Sequence, residues 1–252
     1  MSADVYLQNV LSREAVDTAP SSPVRGVQDT LQPVIAQWAG TLLNGVGISG
    51  SFMKGTANKS GNDIDLFISL AERTTATLAE IYESLFKRMS EAGYRPKRQN
   101  VSINVTVNGY SVDLVPGKQQ SGYTTDHSIY RRRVSSWQKT NITTHIIHVR
   151  QAGRLNESRI LKLWRNQKGL DFPSFYVELT VIAALAGQYG ALSDNVWSTF
   201  KYLRDRFTSA RGVDPANTNN VISDDLTAAE KLSIQAAADR SLGAKTWQEI
   251  VQ

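Results

Sequence analysis

The sequence predicts an α+β chain, with strands crowded into the first half and helices into the second. Three observations carry this. Asp63 to Leu70 reads as a buried strand, with Ile64, Leu66, Phe67, Ile68 and Leu70 as its apolar content. Val101 to Val107 alternates apolar and polar residues, Asn108-Gly109 is the strongest short hairpin signal, and Tyr110 to Pro116 is the return strand. From Asn156 onward apolar residues recur at helical spacing.

The elements follow in order. Residues 2 to 18 read as a first helix, broken by Thr18-Ala-Pro-Ser-Ser-Pro-Val. Val27 to Leu43 has helical periodicity, and Pro33 inside it is expected to kink or divide the helix. Gly45 to Gly50 is a short strand and turn. Thr75 to Ala92 is a helix stopped by Gly93. Residues 117 to 145 are polar and carry Arg131-Arg132-Arg133, a solvated face or a strip for polynucleotide phosphates. Thr144 to Val149 reads as a short strand. Further helices are expected over Asn156 to Lys168, from Pro173 through the apolar run to Leu185, over Val196 to Phe207, and as a final pair over Leu226 to Arg240 and Ala244 to Val251. Asp214-Pro-Ala-Asn-Thr-Asn-Asn is a turn-rich loop.

The chemistry concentrates in Ile48 to Leu70. Gly50-Ser51 forms a turn, and residues 52 to 62 form a polar loop with Lys54, Gly55, Thr56, Lys59 and Gly61. Asp63-Ile-Asp65 then opens the apolar strand. Side chains at i and i+2 share a face of a strand, so Asp63 and Asp65 project together. Paired carboxylates repel unless a cation lies between them. Their hard oxygens suit Mg²⁺ or Mn²⁺, and the backbone N–H groups, hydroxyl and lysines of the loop suit a polyphosphate. An isolated Asp-x-Asp is usually a solvated strand end; the turn, loop and apolar strand around this one make the layout that of nucleotidyl transfer. Asp113, set among Val112, Leu114 and Val115, is the third carboxylate, and an acid in an apolar strand is costly unless paired or metal-bound. Three carboxylates with two metal ions would activate an attacking hydroxyl and steady a leaving pyrophosphate, and Asp113 could accept the hydroxyl proton.

In the second half, Lys162 lies one residue from core positions and could reach inward, a surface lysine being the plainer reading. Ser174, Phe175 and Tyr176 sit at a helix N-terminus, where N–H groups and the dipole favour phosphate and an aromatic face can stack on a base. A core role for Phe175 and Tyr176 stands equally beside that.

The 252 residues are ample for one large domain or two lobes. With 41% apolar and 20% charged residues the composition is that of an ordinary globular protein. The absence of cysteine excludes disulfides and thiolate metal sites. His127, His145 and His148 lack zinc-site spacing and read as structural or surface groups. No apolar run is long enough to span a bilayer and no secretory signal opens the chain, so no membrane partner and a cytoplasmic location are expected. A net charge of +5 and a pI near 9.4 favour polyanionic partners.

Gly50-Ser51, Asp63-Ile-Asp65 and Asp113 resemble the signature of DNA polymerase beta-like nucleotidyltransferases. The stretch Gly-Ser-Phe-Met-Lys-Gly-Thr followed by Asn-Asp-Ile-Asp-Leu-Phe is similar to bacterial cGAS/DncV-like nucleotidyltransferases (CD-NTases), to oligoadenylate synthetases and to archaeal CCA-adding enzymes. Leu161-Lys-Leu-Trp-Arg165, Pro173-Ser-Phe-Tyr176 and the Asp214 loop extend the likeness over residues 25 to 250. The resemblance implies a mixed-sheet, palm-like catalytic lobe with N-terminal helices over 1–150 and a helical lobe over 151–252, with the active site in the cleft. It implies Gly50 and Ser51 at the donor triphosphate, Asp63 and Asp65 on two Mg²⁺ or Mn²⁺ ions, Asp113 on one, Lys162 and Ser174 on the triphosphate, and Phe175 or Tyr176 on the base. No added RNA-binding domain or cysteine-histidine zinc insertion is expected, which favours compact bacterial antiphage enzymes. These make cyclic or linear oligonucleotide second messengers from NTP substrates and signal to a downstream effector. Terminal addition to RNA, or nucleotidylation of a protein, is the alternative, with RNA the less favoured partner.

Overall fold

The computed structural model describes residues 2–17, 19, 21–61 and 63–252. Thr18 and Pro20, in the expected helix break, and Asn62, at the end of the polar loop, lie outside the described residues. The chain divides into two compact units that are discontinuous in sequence. A sheet unit comprises Asp17–Lys54 and Asn62–Ile146, and a helical unit comprises Met1–Val16, Gly55–Gly61 and Ile147–Gln252. The expected division into 1–150 and 151–252 thus differs at the N-terminal helix and at Gly55–Gly61, both of which belong to the helical unit.

In the sheet unit, helix α2 (Pro23–Ala39) starts with proline in its first turn, and the Ser22 hydroxyl accepts from the Val24 N–H at 3.3 Å. It runs unbroken through Pro33. Strand β1 (Leu43–Ile48) leads into a single short helix, α3 (Gly50–Lys54), where a loop was expected. Strand β2 (Ile64–Leu70) is followed by helix α4 (Leu78–Glu91). A reciprocal Thr77–Glu80 capping box fixes the start of α4, and Gly93, at φ 88°, ends it. Strands β3 (Lys97–Arg98), β4 (Ile103–Val107) and β5 (Tyr110–Gln119) follow, with β4 and β5 joined by the Asn108-Gly109 turn. Both turn residues have positive φ, 52° and 83°, as a two-residue hairpin of this kind requires.

The sheet order is β1-β2-β5-β4-β3, with β2 and β5 parallel and the other pairs on this path antiparallel. Residues of even number on β2 (Ile64, Leu66, Ile68, Leu70) join Val112 and Leu114 of β5 in one core with Val27, Leu31 and Ile35 of α2 and Ile81, Leu85 and Met89 of α4. Alternation therefore turns Asp65, Phe67 and Ser69 of β2, and Asp113 of β5, to the opposite face. Asp113 is not on an edge, because β5 is paired on both sides.

One expectation for 117–149 fails, and the polar stretch carries strands that were not foreseen. The polar stretch holds strands β6 (His127–Arg131) and β7 (Ser136–Thr140), paired antiparallel around Ser135, whose φ is 46°. Thr144 to Val149 is not a strand but part of helix α5 (Ile142–Gln151). Its β-branched run favours strand locally, yet the Asn141 side chain accepts from the Thr144 N–H at 3.0 Å and opens a helix there.

The helical unit contains α1 (Ala3–Arg13), α6 (Leu155–Gln167), α7 (Ser174–Ala184), α8 (Leu192–Asp205), α9 (Ala228–Leu242) and the short α10 (Trp247–Ile250). Leu7, Val10 and Leu11 of α1 join a core built on Trp164, Val177, Val181 and Phe200. Trp164 packs edge-on to Phe200 with ring centres 5.1 Å apart, and its indole N–H donates to the Ser241 hydroxyl at 2.9 Å. In the Asp214 loop, the Asp214 carboxylate is buried and accepts from the Ala216 N–H at 2.8 Å and the Asn220 amide at 3.2 Å. Among the described residues no helix is long and apolar enough to cross a membrane.

Leu66 is fully buried between sheet and helices. Truncation to alanine is expected to cost about 2–5 kcal/mol, read as a lower urea midpoint at unchanged slope.

Candidate active site

Parallel pairing of β2 with β5 makes Asp65 and Asp113 register partners. Adjacent strands lie about 4.8 Å apart, so the two carboxylates stand side by side on the face away from α2 and α4. Asp63 precedes β2 and is exposed, but its charge raises the pKa of both.

Asp65 is pushed up to about 6. Burial is the main cause, followed by Asp113; Lys54, Asp63 and the Ser51 N–H act less, the first and last downward. Asp113 is also raised, chiefly by burial. Opposing this, the Asn104 amide donates to Asp113 Oδ1 at 2.8 Å. A raised carboxyl binds a proton in the folded chain between pH 3.8 and about 6 that the unfolded chain has lost. Stability is therefore lost as pH rises through that window. At neutral pH the Asp65 charge costs at most about 3 kcal/mol, since the residue keeps partial solvent access.

The Gly50-Ser51 turn is built against this carboxylate. Gly50 has φ 54°, and a Cβ there would lie 1.6 Å from Asp65 Oδ2, so only glycine fits. The Ser51 N–H then reaches the Asp65 carboxyl. Lys54, expected in a polyphosphate loop, is instead buried on α3 with its charge acting on Asp65.

The donor set suits a hard divalent cation: acceptor-only oxygens, of which those of Asp65 and Asp113 are desolvated, with pKa values raised chiefly by burial. Among the described residues no three His, Cys, Asp or Glu side chains already form a metal cage. The chemistry of the set fits Mg²⁺ or Mn²⁺, held by Asp63, Asp65 and Asp113, without a preformed geometry.

The same sheet face continues into a cleft of about 390 Å³ bounded by β1 from Gly45 to Ile48 and the Ser49 that follows it, by Phe67, Ser69, Thr125 and His127, and by Ile142, Thr143 and Ile146 of α5. His127 is buried and its pKa lowered, mainly by burial. Its Nδ1–H donates to the Thr125 carbonyl at 2.9 Å, which leaves Nε2 to accept from the Ser69 hydroxyl at 2.8 Å. Phe67 packs edge-on to the His127 ring at 4.9 Å.

The helical unit holds the other sequence-predicted residues. Ser174 is exposed at the start of α7, and its hydroxyl accepts from Arg165 at 3.1 Å. Phe175 is partly buried. Tyr176 is a core residue, its ring 5.3 Å from both Phe172 and Phe207, with a buried hydroxyl lacking a hydrogen-bond partner. Lys162 is buried, 2.5 Å from Glu178 and 2.9 Å from the Thr56 hydroxyl.

Asn104, Phe67, Ser69 and His127 were not singled out as site residues from the sequence. A signal for Asn104 existed. The two-residue turn pairs Val107 with Tyr110, and counting outward brings Asn104 opposite Asp113. Phe67 and Ser69 follow Asp65 at strand period. His127 had no such signal, since β6 was not foreseen.

Neither a protein-family model nor a curated protein sequence matches the chain. Solved structures do. E. coli MS115-1 CdnC with ATP is 21% identical, with 98% of this chain and 92% of that one covered and a TM-score of 0.71. The Bradyrhizobium diazoefficiens CD-NTase CdnG with GTP is 11% identical over 98% and 94%, at 0.74. The Cid1 poly(U) polymerase with Mg and 3′-dATP is 12% identical over 97% and 95%, at 0.68. The chain therefore has the fold of the CD-NTases and of polymerase beta-like nucleotidyltransferases, as the sequence resemblance implied.

Without metal, Asp65→Asn is expected to raise the melting temperature at pH 7.5 by several degrees, because a costly buried charge is removed. Added Mg²⁺ should raise the wild-type value and leave the variant unmoved. Calorimetry in EDTA checks this, and a variant less stable than wild type there would refute the charge assignment.

Proposed function

We propose that the protein is a metal-dependent, template-independent nucleotidyltransferase that makes cyclic or linear oligonucleotide second messengers from NTPs. The observation that carries this is Asp65 beside Asp113, in the field of Asp63, with the Gly50-Ser51 turn closed onto Asp65. A nucleotide-cleaving centre needs that combination of clustered acids and backbone donors.

The reaction is attack of a 2′- or 3′-hydroxyl on the α-phosphorus of an NTP. A new P–O bond forms, the α–β phosphoanhydride breaks, and pyrophosphate leaves. Two Mg²⁺ or Mn²⁺ ions, when bound, supply Lewis acidity and neutralise phosphate charge. The chain's own contributions are distinct. Gly50 and Ser51 offer backbone N–H groups and a hydroxyl to the donor triphosphate. Asp63 and Asp65 hold cation charge at the reacting phosphate. Asp113, oriented by Asn104 and raised in pKa by burial, accepts the proton of the attacking hydroxyl. Ser174, at the start of α7, contributes to the triphosphate, and Phe175 rather than Tyr176 stacks on a base, since Tyr176 is a core residue.

The cleft along β1 and β2 suits the acceptor nucleotide. From Asp65 to Ser69 a strand advances about 13 Å, the length of a nucleotide from reacting oxygen to the far edge of its base. Phe67 would lie beneath the ring and Ser69–His127 at its polar edge. The fold shared with CD-NTases supports a small signalling product sensed by a downstream effector, and an antiphage role is part of that reading. Terminal addition to RNA is the second reading; the exposed Arg132 and Arg133 beside Arg131 favour it, as does the fold shared with Cid1.

Incubation with four labelled NTPs and Mg²⁺ or Mn²⁺, with and without RNA, tests both. A small phosphatase-resistant product, absent with Asp63→Asn/Asp65→Asn, is expected. Label confined to RNA would move the assignment to terminal transfer. Asp113→Asn is expected to lower kcat by about 10²–10⁴-fold.

A further inference from the structure

The cleft beside the carboxylates lies wholly within the sheet unit. Gly45 and Gly47 of β1 stand opposite Ser69 and Phe67 in register, so they lie on the open face of the sheet. Neither has a positive φ, and a Cβ at either would meet nothing within 4 Å. Backbone conformation and packing therefore do not require glycine at these two positions. Their effect is to leave the strand bare beside the Phe67 ring. That ring is held in place. It packs edge-on to His127 at 4.9 Å and occupies the space of a Cβ on Gly117, which would lie 2.5 Å from its tip. An aromatic ring beside a bare strand makes a flat, apolar floor, which suits a flat ligand.

At the end of that floor a short chain of groups sets the hydrogen-bond polarity. The Thr125 carbonyl can only accept, so the proton of the neutral His127 ring lies on Nδ1, 2.9 Å away. Nε2 is then an acceptor, and the Ser69 hydroxyl spends its single proton on it at 2.8 Å. The Asn44 amide takes one Ser69 lone pair at 3.4 Å. Ser69 Oγ is left with one lone pair: it can accept from a ligand and cannot donate. The exocyclic amino groups of adenine and cytosine are donors, whereas the keto oxygens of guanine and uracil at the same edge are acceptors. Two acceptors set against each other leave both unpaired, which costs binding. We propose that the Ser69–His127 pair selects an attacking nucleotide whose base carries an exocyclic amino group at that edge, with the bare strand at Gly45 and Gly47 admitting its ring. His127 is a positioning residue, since it acts by holding the Ser69 proton away from the ligand. This rests on the nucleotidyltransferase reading and deepens it by naming the class of base.

The test is calorimetric titration with AMP, CMP, GMP and UMP in the presence of Mg²⁺. Wild type is expected to bind AMP and CMP about tenfold or more tighter than GMP and UMP, the scale of one hydrogen bond against an unpaired acceptor. His127→Phe keeps the aromatic packing and frees the Ser69 proton, so the preference is expected to shrink to about threefold or less, or to reverse. Thr125→Val removes the other hydroxyl at this end, which accepts from the Asn141 amide at 3.0 Å, and keeps the carbonyl. It is expected to leave the preference in place. Gly47→Val fills the floor without touching the polar groups. Its melting temperature is expected at or above that of wild type, since valine favours a strand, while binding of all four ligands weakens about tenfold or more. Equal binding of the four by wild type overturns the proposal, as does tighter binding of GMP and UMP. So does an unchanged preference in a folded His127→Phe, a preference lost in Thr125→Val, or a folded Gly47→Val that binds as wild type does. A chain that turns over NTPs but binds the four alike loses this proposal alone. One that shows the preference without any turnover loses the functional reading and keeps the base selectivity.

Discussion

The parallel pairing of β2 and β5 is the constraint on which the rest of the site depends. Register alone sets Asp65 opposite Asp113, and it does so on the face that the two covering helices leave open. Two like charges at that spacing are intrinsically unfavourable, and the fold surrounds them with partial remedies. Lys54 lends positive charge, Ser51 a backbone donor, and Asn104 a side-chain donor. None of these cancels the effect of burial, so both carboxyls remain raised. A site left short of positive charge in this way is prepared for a cation and for the phosphates that come with it.

The helical unit treats charge differently. Lys162 and Glu178 neutralise each other inside the protein, with Thr56 as third member. The sheet unit thus leaves two carboxylates facing each other, and the helical unit pairs its buried lysine with a glutamate. The connecting segment Gly55–Gly61 shows why sequence spacing misleads here. With Lys54 before it, its threonine and glycines look like a phosphate loop, but Thr56 is committed to a buried network and Lys54 acts on Asp65.

Much of this was legible in the residues. The apolar alternation of Ile64 to Leu70 gave strand and facing together, because period two leaves no other way to bury four of those side chains. The Asn108-Gly109 turn gave the hairpin, and with it the partner of Asp113. What escaped was set by tertiary context. Thr144 to Val149 carries β-branched residues whose local preference is strand, overridden by the Asn141 cap and the packing of α5. The β6–β7 hairpin is mostly polar and turns at Ser135, with no glycine to announce it. The Lys162–Glu178 pair joins residues sixteen positions apart on different helices, and no spacing rule on a single helix reaches that far.

The Gly50 turn has a consequence for divergence. Its requirement is geometric: no side chain at one position, because a carboxylate occupies the space. The core around it asks only for apolar volume on the correct side of each strand, which many residue combinations supply. A fold specified by a few such exclusions and a broad apolar pattern can lose nearly all residue identity while its backbone stays put. Identities of 11% to 21% beside TM-scores of 0.68 to 0.74 show one fold carried by sequences that different.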